Sequence, residues 1–179
     1  GTYALDANTT ASDNTAIGYA SLSANITGTG NVASGFRALQ FNTTANNNTA
    51  VGFYALYANT TGTRNTALGN NSLDANTTAS DNTAVGSAAL GLNTTGANNV
   101  AIGSLALDAN TTASDNVAIG TLSLSSNTTG NLNVAVGGQS LKANTVGDRS
   151  VAIGYQALAA QNPSSNADMY NTAAGYQAG

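Results

Sequence analysis

GTYALDANTTASDNTAIG, residues 1–18, opens and closes on glycine and contains LDANTTASDN, a ten-residue string that returns at 73–82 and 107–116. The starting positions of the three copies, 5, 73 and 107, differ by multiples of 17. Glycine marks the same period, at residues 1, 18, 35, 52, 69, 86, 103, 120, 137 and 154. With that glycine as position 1, the chain reads as ten copies of G-x-x-[AS]-L-x-x-N-T-T-[AG]-x-x-N-[TV]-A-[IV]. The tenth copy carries a four-residue insertion within AAQNPSSNADMYNTAAG, and an eleventh begins at 175–179. LDANTTASDN fills positions 5–14 of copies one, five and seven, so it is an architectural module. Residues 1–179 are one repeat domain, and a start in mid-pattern makes a piece of a longer fibre the expectation.

A 17-residue unit is too short for the paired-helix repeats, which need about 33–47 residues. It is also rich in Asn, Thr and Gly, which disfavour helix interiors. Two segments alternate with period two. One is N-[TV]-A-[IV]-G, from position 14 to the next position 1; the other spans positions 3–7. N-T-T-[AG] between them is turn chemistry. The pattern predicts an all-β chain, a parallel β-solenoid of 17-residue coils about 4.8 Å apart, and hence a rod of roughly 48 Å.

In a solenoid each position becomes a column. Position 5 is Leu throughout: Leu5, Leu22, Leu39, Leu56, Leu73, Leu90, Leu107, Leu124, Leu141 and Leu158. Position 17 is mostly Ile or Val: Ile17, Val51, Val85, Ile102, Ile119, Val136 and Ile153. These two columns, with Thr/Val at 15, are expected to line the interior, each large aliphatic contributing about 1.5–3 kcal/mol on burial. Ala at 16 and Ala/Ser at 4 are then expected outside, a smooth row that lets another chain approach. The reverse assignment requires a partner to cover the aliphatic side chains. Two Asn columns are expected to form amide ladders between coils. One is Asn8, Asn25, Asn42, Asn59, Asn76, Asn93, Asn110, Asn127 and Asn144; the other is Asn14, Asn31, Asn48, Asn65, Asn82, Asn99, Asn116 and Asn133. Arg64 and Asp81 share column 13 on adjacent coils and are expected to pair.

The motif N-T-A-[IV]-G-x-x-[AS]-L resembles the head repeats of YadA-like trimeric autotransporter adhesins, most closely at Asn116-Val117-Ala118-Ile119-Gly120 and Ser150-Val151-Ala152-Ile153-Gly154. Gly154-Tyr155-Gln156-Ala157-Leu158 is similar to the N-T-A-I-G-Y-Q-A-L repeats of phage and bacterial tail-fibre-type proteins. The resemblance spans the whole chain and implies a left-handed β-roll, a homotrimer about a common axis, and a place on an extracellular, cell-surface or virion fibre. Adhesin head repeats are typically shorter than this unit, and the surplus falls most simply in the NTT[AG] loop.

Composition excludes several functions. There are 8 acidic residues, all Asp, against 4 basic ones, and His and Cys are absent. So weak a basic complement does not neutralise a phosphate backbone or hold an anionic membrane, so no nucleic-acid or membrane contact is expected. Asp6 and Asp13 lie in one coil, but the pair recurs as Asp74/Asp81 and Asp108/Asp115 on exposed turns. No nucleophile–base couple accompanies it, so neither catalysis nor a cofactor is expected. One carboxylate per turn makes a weak cation site, and no metal is expected.

Eight Asn of column 8, Asn8 through Asn127, are formally N-x-T glycosylation acceptors, yet a glycan on every coil would be too crowded. Stacked Thr at positions 9 and 10 raise the alternative of an ice-binding solenoid; a self-assembling filament subunit is another. Tyr3, Tyr19, Phe36, Phe53, Tyr54 and Tyr155, at positions 2 and 3, are the candidate binding surface for a host-surface glycan or protein receptor, or else fill a corner of the roll. The expected function is structural and adhesive: a stiff repeat rod with itself as first partner.

Overall fold

A computed structural model describes all 179 residues as a single ten-stranded parallel sheet with strands in sequence order. Each strand is three residues long, from Thr15–Ile17 to Thr172–Ala174, and occupies positions 15–17 of its copy. Register advances by one repeat per strand: Ala84 pairs with Ala101, and Ala101 with Ala118. Even the four-residue insertion leaves it intact, since Ala173 still faces Ala152. The chain is therefore the parallel β-solenoid that its period predicts.

The second predicted strand, positions 3–7, is instead a run of turns. Positions 3 and 5 of every copy have positive φ: Asn71 at 53° and Leu73 at 51°, Leu105 at 55° and Leu107 at 53°. Left-handed backbone is uncommon outside glycine and costs a leucine conformational energy. Here it is held by coil-to-coil bonds: Leu73 N–H donates to Ala89 O at 3.0 Å, and Asn71 N–H to Phe53 O at 2.9 Å.

Those kinks change which side chains point inward. A pleated strand would alternate positions 4 and 5 between faces, but a backbone turned left-handed at 3 and 5 sends both inside. Leu22 through Leu141 of column 5 are fully buried, with Leu5 and Leu158 packed against them at the two ends. Ala/Ser of column 4 lies beside them, and Ala16-type residues close the interior from the strand side. Buried Ser hydroxyls at position 4 donate to the carbonyl of their own position-1 glycine, as Ser72 does to Gly69 at 3.1 Å.

The expected assignment of columns 15, 16 and 17 is thus inverted. Ala16-type residues face in; Ile17, Ile102, Ile119 and Ile153 face out and are 36–62 % exposed, and Val51, Val85 and Val136 are half-exposed. The reason is width. So short a coil is thin, and a Leu from one wall leaves room only for a methyl from the other; a second branched side chain would overpack it.

Glycine at position 1 answers two constraints. Its φ is 123–146° from Gly18 to Gly175, and a Cβ at Gly86 would lie 2.6 Å from the carbonyl of Gly103 on the next coil. No other residue fits both the dihedral and the approach.

The remaining interior is polar. Each column-8 amide from Asn25 to Asn144 donates to the Oδ1 of the preceding coil's Asn and to the position-11 carbonyl of its own coil; Asn76 does so at 2.9 and 3.0 Å. Each column-14 amide donates to the position-11 carbonyl of the next coil, and its Oδ1 accepts from the next coil's position-14 N–H, as Asn65 does with Ala79 O at 2.8 Å and Asn82 N at 3.0 Å. Where both columns lapse they cross-link. Gln161 stands in column 8 of the tenth coil and donates to Asn144 Oδ1 at 3.4 Å and to Ser150 Oγ, which replaces Asn in column 14, at 2.9 Å. Asn171 donates back to Gln161 Oε1 at 2.8 Å.

Replacing Asn76 by Ala strips partners from Asn59 and Asn93 inside a closed interior, and an unmet buried polar group costs more than a hydrogen bond gains. The expected loss is roughly 2–4 kcal/mol. Thr78→Ala, two residues away in the exposed column 10, should stay within about 0.5 kcal/mol. Urea denaturation of the full chain reads the difference.

Candidate functional site

Two outward faces carry the chain's distinctive chemistry. The first is the outside of the sheet. Column 15 presents Thr or Val and column 17 presents Ile, Val or Leu on every coil from the first to the ninth except the second, where Ser34 intervenes. Leu68 is 46 % exposed there. The result is a straight aliphatic stripe the length of the sheet, of the order of 500 Å² for a face about 48 Å long, in the size range where exposed apolar patches carry function.

The second face comprises columns 2, 3, 6 and 7. The kinks at 3 and 5 bring side chains three apart in sequence into contact: Tyr54 and Tyr57 rings lie 4.7 Å apart, and Asn71 Nδ2 is 3.4 Å from Asp74 Oδ2. Five of the six predicted surface aromatics meet here. Tyr19, Phe36 and Phe53 stack along column 2 with centroids 5.2–5.3 Å apart; Tyr3 meets Tyr19 edge-on, and Tyr54 meets both Phe36 and Phe53. Tyr155 lies on the tenth coil, stacked on Tyr176 beside a ladder of Gln139, Gln156 and Gln177.

Sequence reasoning missed Arg37, Gln40, Phe41 and Tyr57, which complete the patch. Arg37 lies over the rings of Phe36 and Tyr54, at 5.3 and 5.8 Å, and donates to the Tyr54 hydroxyl at 3.2 Å. Phe41 packs on Tyr57 at 4.9 Å. Columns 2, 3 and 6 stand out in the sequence by their variability; only the backbone reveals that they form one face.

This face also holds every buried side-chain polar atom without a partner: Arg37 Nε, Gln40 Oε1 and Asp108 Oδ1. Asp74 and Asp108, in column 6 on either side of Gly91, are pushed above the ordinary carboxyl range by burial, opposed by nearby backbone N–H groups. On column 13, by contrast, Arg64 holds Asp81 below that range through a two-bond pair of 2.6 and 2.8 Å, as the sequence predicted. Arg149 pairs likewise with Asp168.

Column 8 is closed to modification in the folded chain from Asn25 through Asn144, which are fully buried with both amide hydrogens engaged where the ladder runs; Asn8 on the first coil is half-buried. The Thr rows are unequal. Column 9 hydroxyls from Thr43 to Thr128 donate to the carbonyl of the next coil, while column 10 stays on the surface. Only one of the two Thr rows therefore has its hydroxyls free for water.

No family model, curated protein or solved structure matches this chain. The residues and their placement carry the functional reading by themselves.

Burial favours the neutral acid at Asp74 and Asp108, so protonation stabilises the folded chain. That gain is complete below the ordinary value of 3.8 and is lost as pH rises through the elevated folded value. Asp74→Asn/Asp108→Asn is therefore expected to raise the urea midpoint over the parent at pH 7, and the two midpoints should converge near pH 3. A midpoint gap that does not change with pH would assign the effect to something other than these carboxylates.

Proposed function

We propose that this chain is a structural and adhesive segment of an extracellular fibre, in which three copies pack side by side along the exposed face of columns 15 and 17. What supports the reading is the continuity of that face. An aliphatic row exposed on nearly every coil has no use for a single rod in water, and burying it against a straight partner gives an interface that grows with each coil. The N-[TV]-A-[IV]-G motif that builds it is the segment that resembles trimeric adhesin heads and tail-fibre repeats. In this reading Ala at position 16 keeps each roll thin, the aliphatics on either side of it join roll to roll, and the Asn ladders stiffen the rod. Outward columns are then displayed many times along a stiff support, where weak contacts add by multivalency.

Sedimentation equilibrium of the full chain tests it. The expected mass is three times 17.6 kDa. Val117→Asp/Ile119→Asp places two charges per chain on the apolar face and should yield monomers with an unchanged far-ultraviolet spectrum. A parent that sediments as a monomer overturns the trimer. Mass that climbs without limit as concentration rises points instead to end-to-end filament growth, and thermal hysteresis from a monomeric rod points to ice binding.

A further inference from the structure

The aromatic patch, which runs from Tyr3 to Tyr57 over the first four coils and is densest on the third and fourth, has features that rod assembly does not explain. An interface between parallel copies must run the length of the rod, whereas this aromatic run ends at the fourth coil, and Phe36, Arg37, Gln40, Phe41, Tyr54 and Tyr57 crowd its last two coils. The same columns on the sixth coil hold Ser87, Ala88, Gly91 and Leu92, and the frame is unaltered there. The aromatics are therefore not needed to fill a corner of the roll.

Arg37 is also unlike the other two arginines. Arg64 and Arg149 each pair with an Asp of the next coil, while Arg37 has no carboxylate partner and lies between aromatic rings. Its Nε–H is a buried donor with nothing to donate to, and Gln40 Oε1, three residues on in the adjoining column, is a buried acceptor with nothing to accept. Ring–ring contacts at these columns show that side chains so spaced meet. The two atoms are complementary to each other, and a group that bridges them must accept from one and donate to the other, which a hydroxyl does and a carboxylate or an ammonium does not. Around that pair stand half-exposed rings, Phe41 at 43 % among them, and the Tyr57 hydroxyl makes no bond within the chain.

From this we infer that the patch is a saccharide subsite: ring surfaces receive the C–H face of a pyranose, and sugar hydroxyls bond the Tyr57 hydroxyl and the polar groups of Arg37 and Gln40 beside it. Guanidinium and carboxamide are planar and directional, the geometry needed to select hydroxyl orientation. The inference rests on the adhesive half of the function proposed above and is independent of the number of chains in the rod.

The test begins with the full chain on a printed array of neutral and acidic oligosaccharides, followed by titration of the strongest binder with saturation-transfer NMR and tyrosine fluorescence. Aromatic resonances and tyrosine emission should respond to sugar. Phe36→Ser/Arg37→Ala/Gln40→Gly/Phe41→Leu transplants the sixth coil's surface onto the third and should weaken binding by roughly tenfold or more. Arg37→Lys keeps the charge but loses the fork and should also weaken it; Lys142→Ala, on the ninth coil, should leave affinity unchanged. No binder on the array, or undiminished binding by the transplanted variant, overturns the subsite. Sedimentation of the same variant separates the two readings: a rod that assembles as the parent does but no longer binds sugar leaves the fibre standing, and an unassembled parent that binds sugar leaves the subsite standing.

Discussion

The carbonyl at position 11 is the point from which the rest of the coil hangs. It faces inward, where no water reaches, and it receives two amide hydrogens: one from Asn of column 8 on its own coil and one from Asn of column 14 on the coil before. At Ala79 these are Asn76 and Asn65, at 3.0 and 2.8 Å. One bond folds the turn, and the other fixes its height against its neighbour. Each net hydrogen bond is worth about 0.5–1.5 kcal/mol, so the amide bonds of one coil together rival its buried leucine, at about 1.5–3 kcal/mol. The polar columns are half of the core. That is how so short a unit, unable to enclose much apolar volume, closes a coil at all.

The same carbonyl explains why the chain counts in pairs. Position 11 alternates between Ala and Gly from Ala11 to Gly130. In the Gly coils the position-10 N–H makes an extra bond to the next coil, as Thr27 does to Thr43 O at 3.1 Å and Thr95 to Thr111 O at 3.2 Å. No such bond leaves the Ala coils at Thr44, Thr78 or Thr112. A Cβ at Gly62 or Gly96 would lie 2.1 Å from the next carbonyl. The loop that leans closest thus has to be glycine, and the loop it leans on has room for a methyl. The three copies of LDANTTASDN, in the first, fifth and seventh coils, are all of the Ala kind. They are separated by whole numbers of this double unit.

Period, columns, strand position and both Asn ladders were legible because repetition turns each of them into a test that every copy must pass. Which way the columns face was not. The period-two reading of positions 3–7 assumes right-handed or extended backbone, and nothing in the letters L, A or Q announces a positive φ. All ten leucines of column 5 lie in the left-handed region, held there by neighbours above and below, a tertiary override of residue preference. The same limit hid the aromatic patch. Phe36, Phe53 and Tyr54 stood out by type and column; Arg37 shares column 3 with Tyr54 but not its aromatic type, and Gln40 and Tyr57 join them only because two kinks fold column 6 back beside column 3.

Because each coil bonds to its neighbours through equal positions, an outward side chain can change without disturbing the frame. Columns 1, 4, 5, 8, 11, 14 and 16 are committed to the interior; the rest are free to differ from coil to coil. Charge uses that freedom within limits. Asp appears in column 6 on the first, fifth and seventh coils, never on two in succession. Two rungs separate like charges by about 10 Å, near the screening length of physiological salt. Asp74 and Asp108 sit at that limit with Gly91 between them, and both carboxyls rise from partial burial rather than from each other. A third Asp in place of Gly91 would halve the spacing and put three charges in a row at rung distance. The uncharged residue there is what lets two acids share column 6, and such spacing is a constraint of stacking that a single globular surface does not face; where Asp148 does stand beside Asp168 of the next coil, Arg149 bonds Asp168 and offsets the pair.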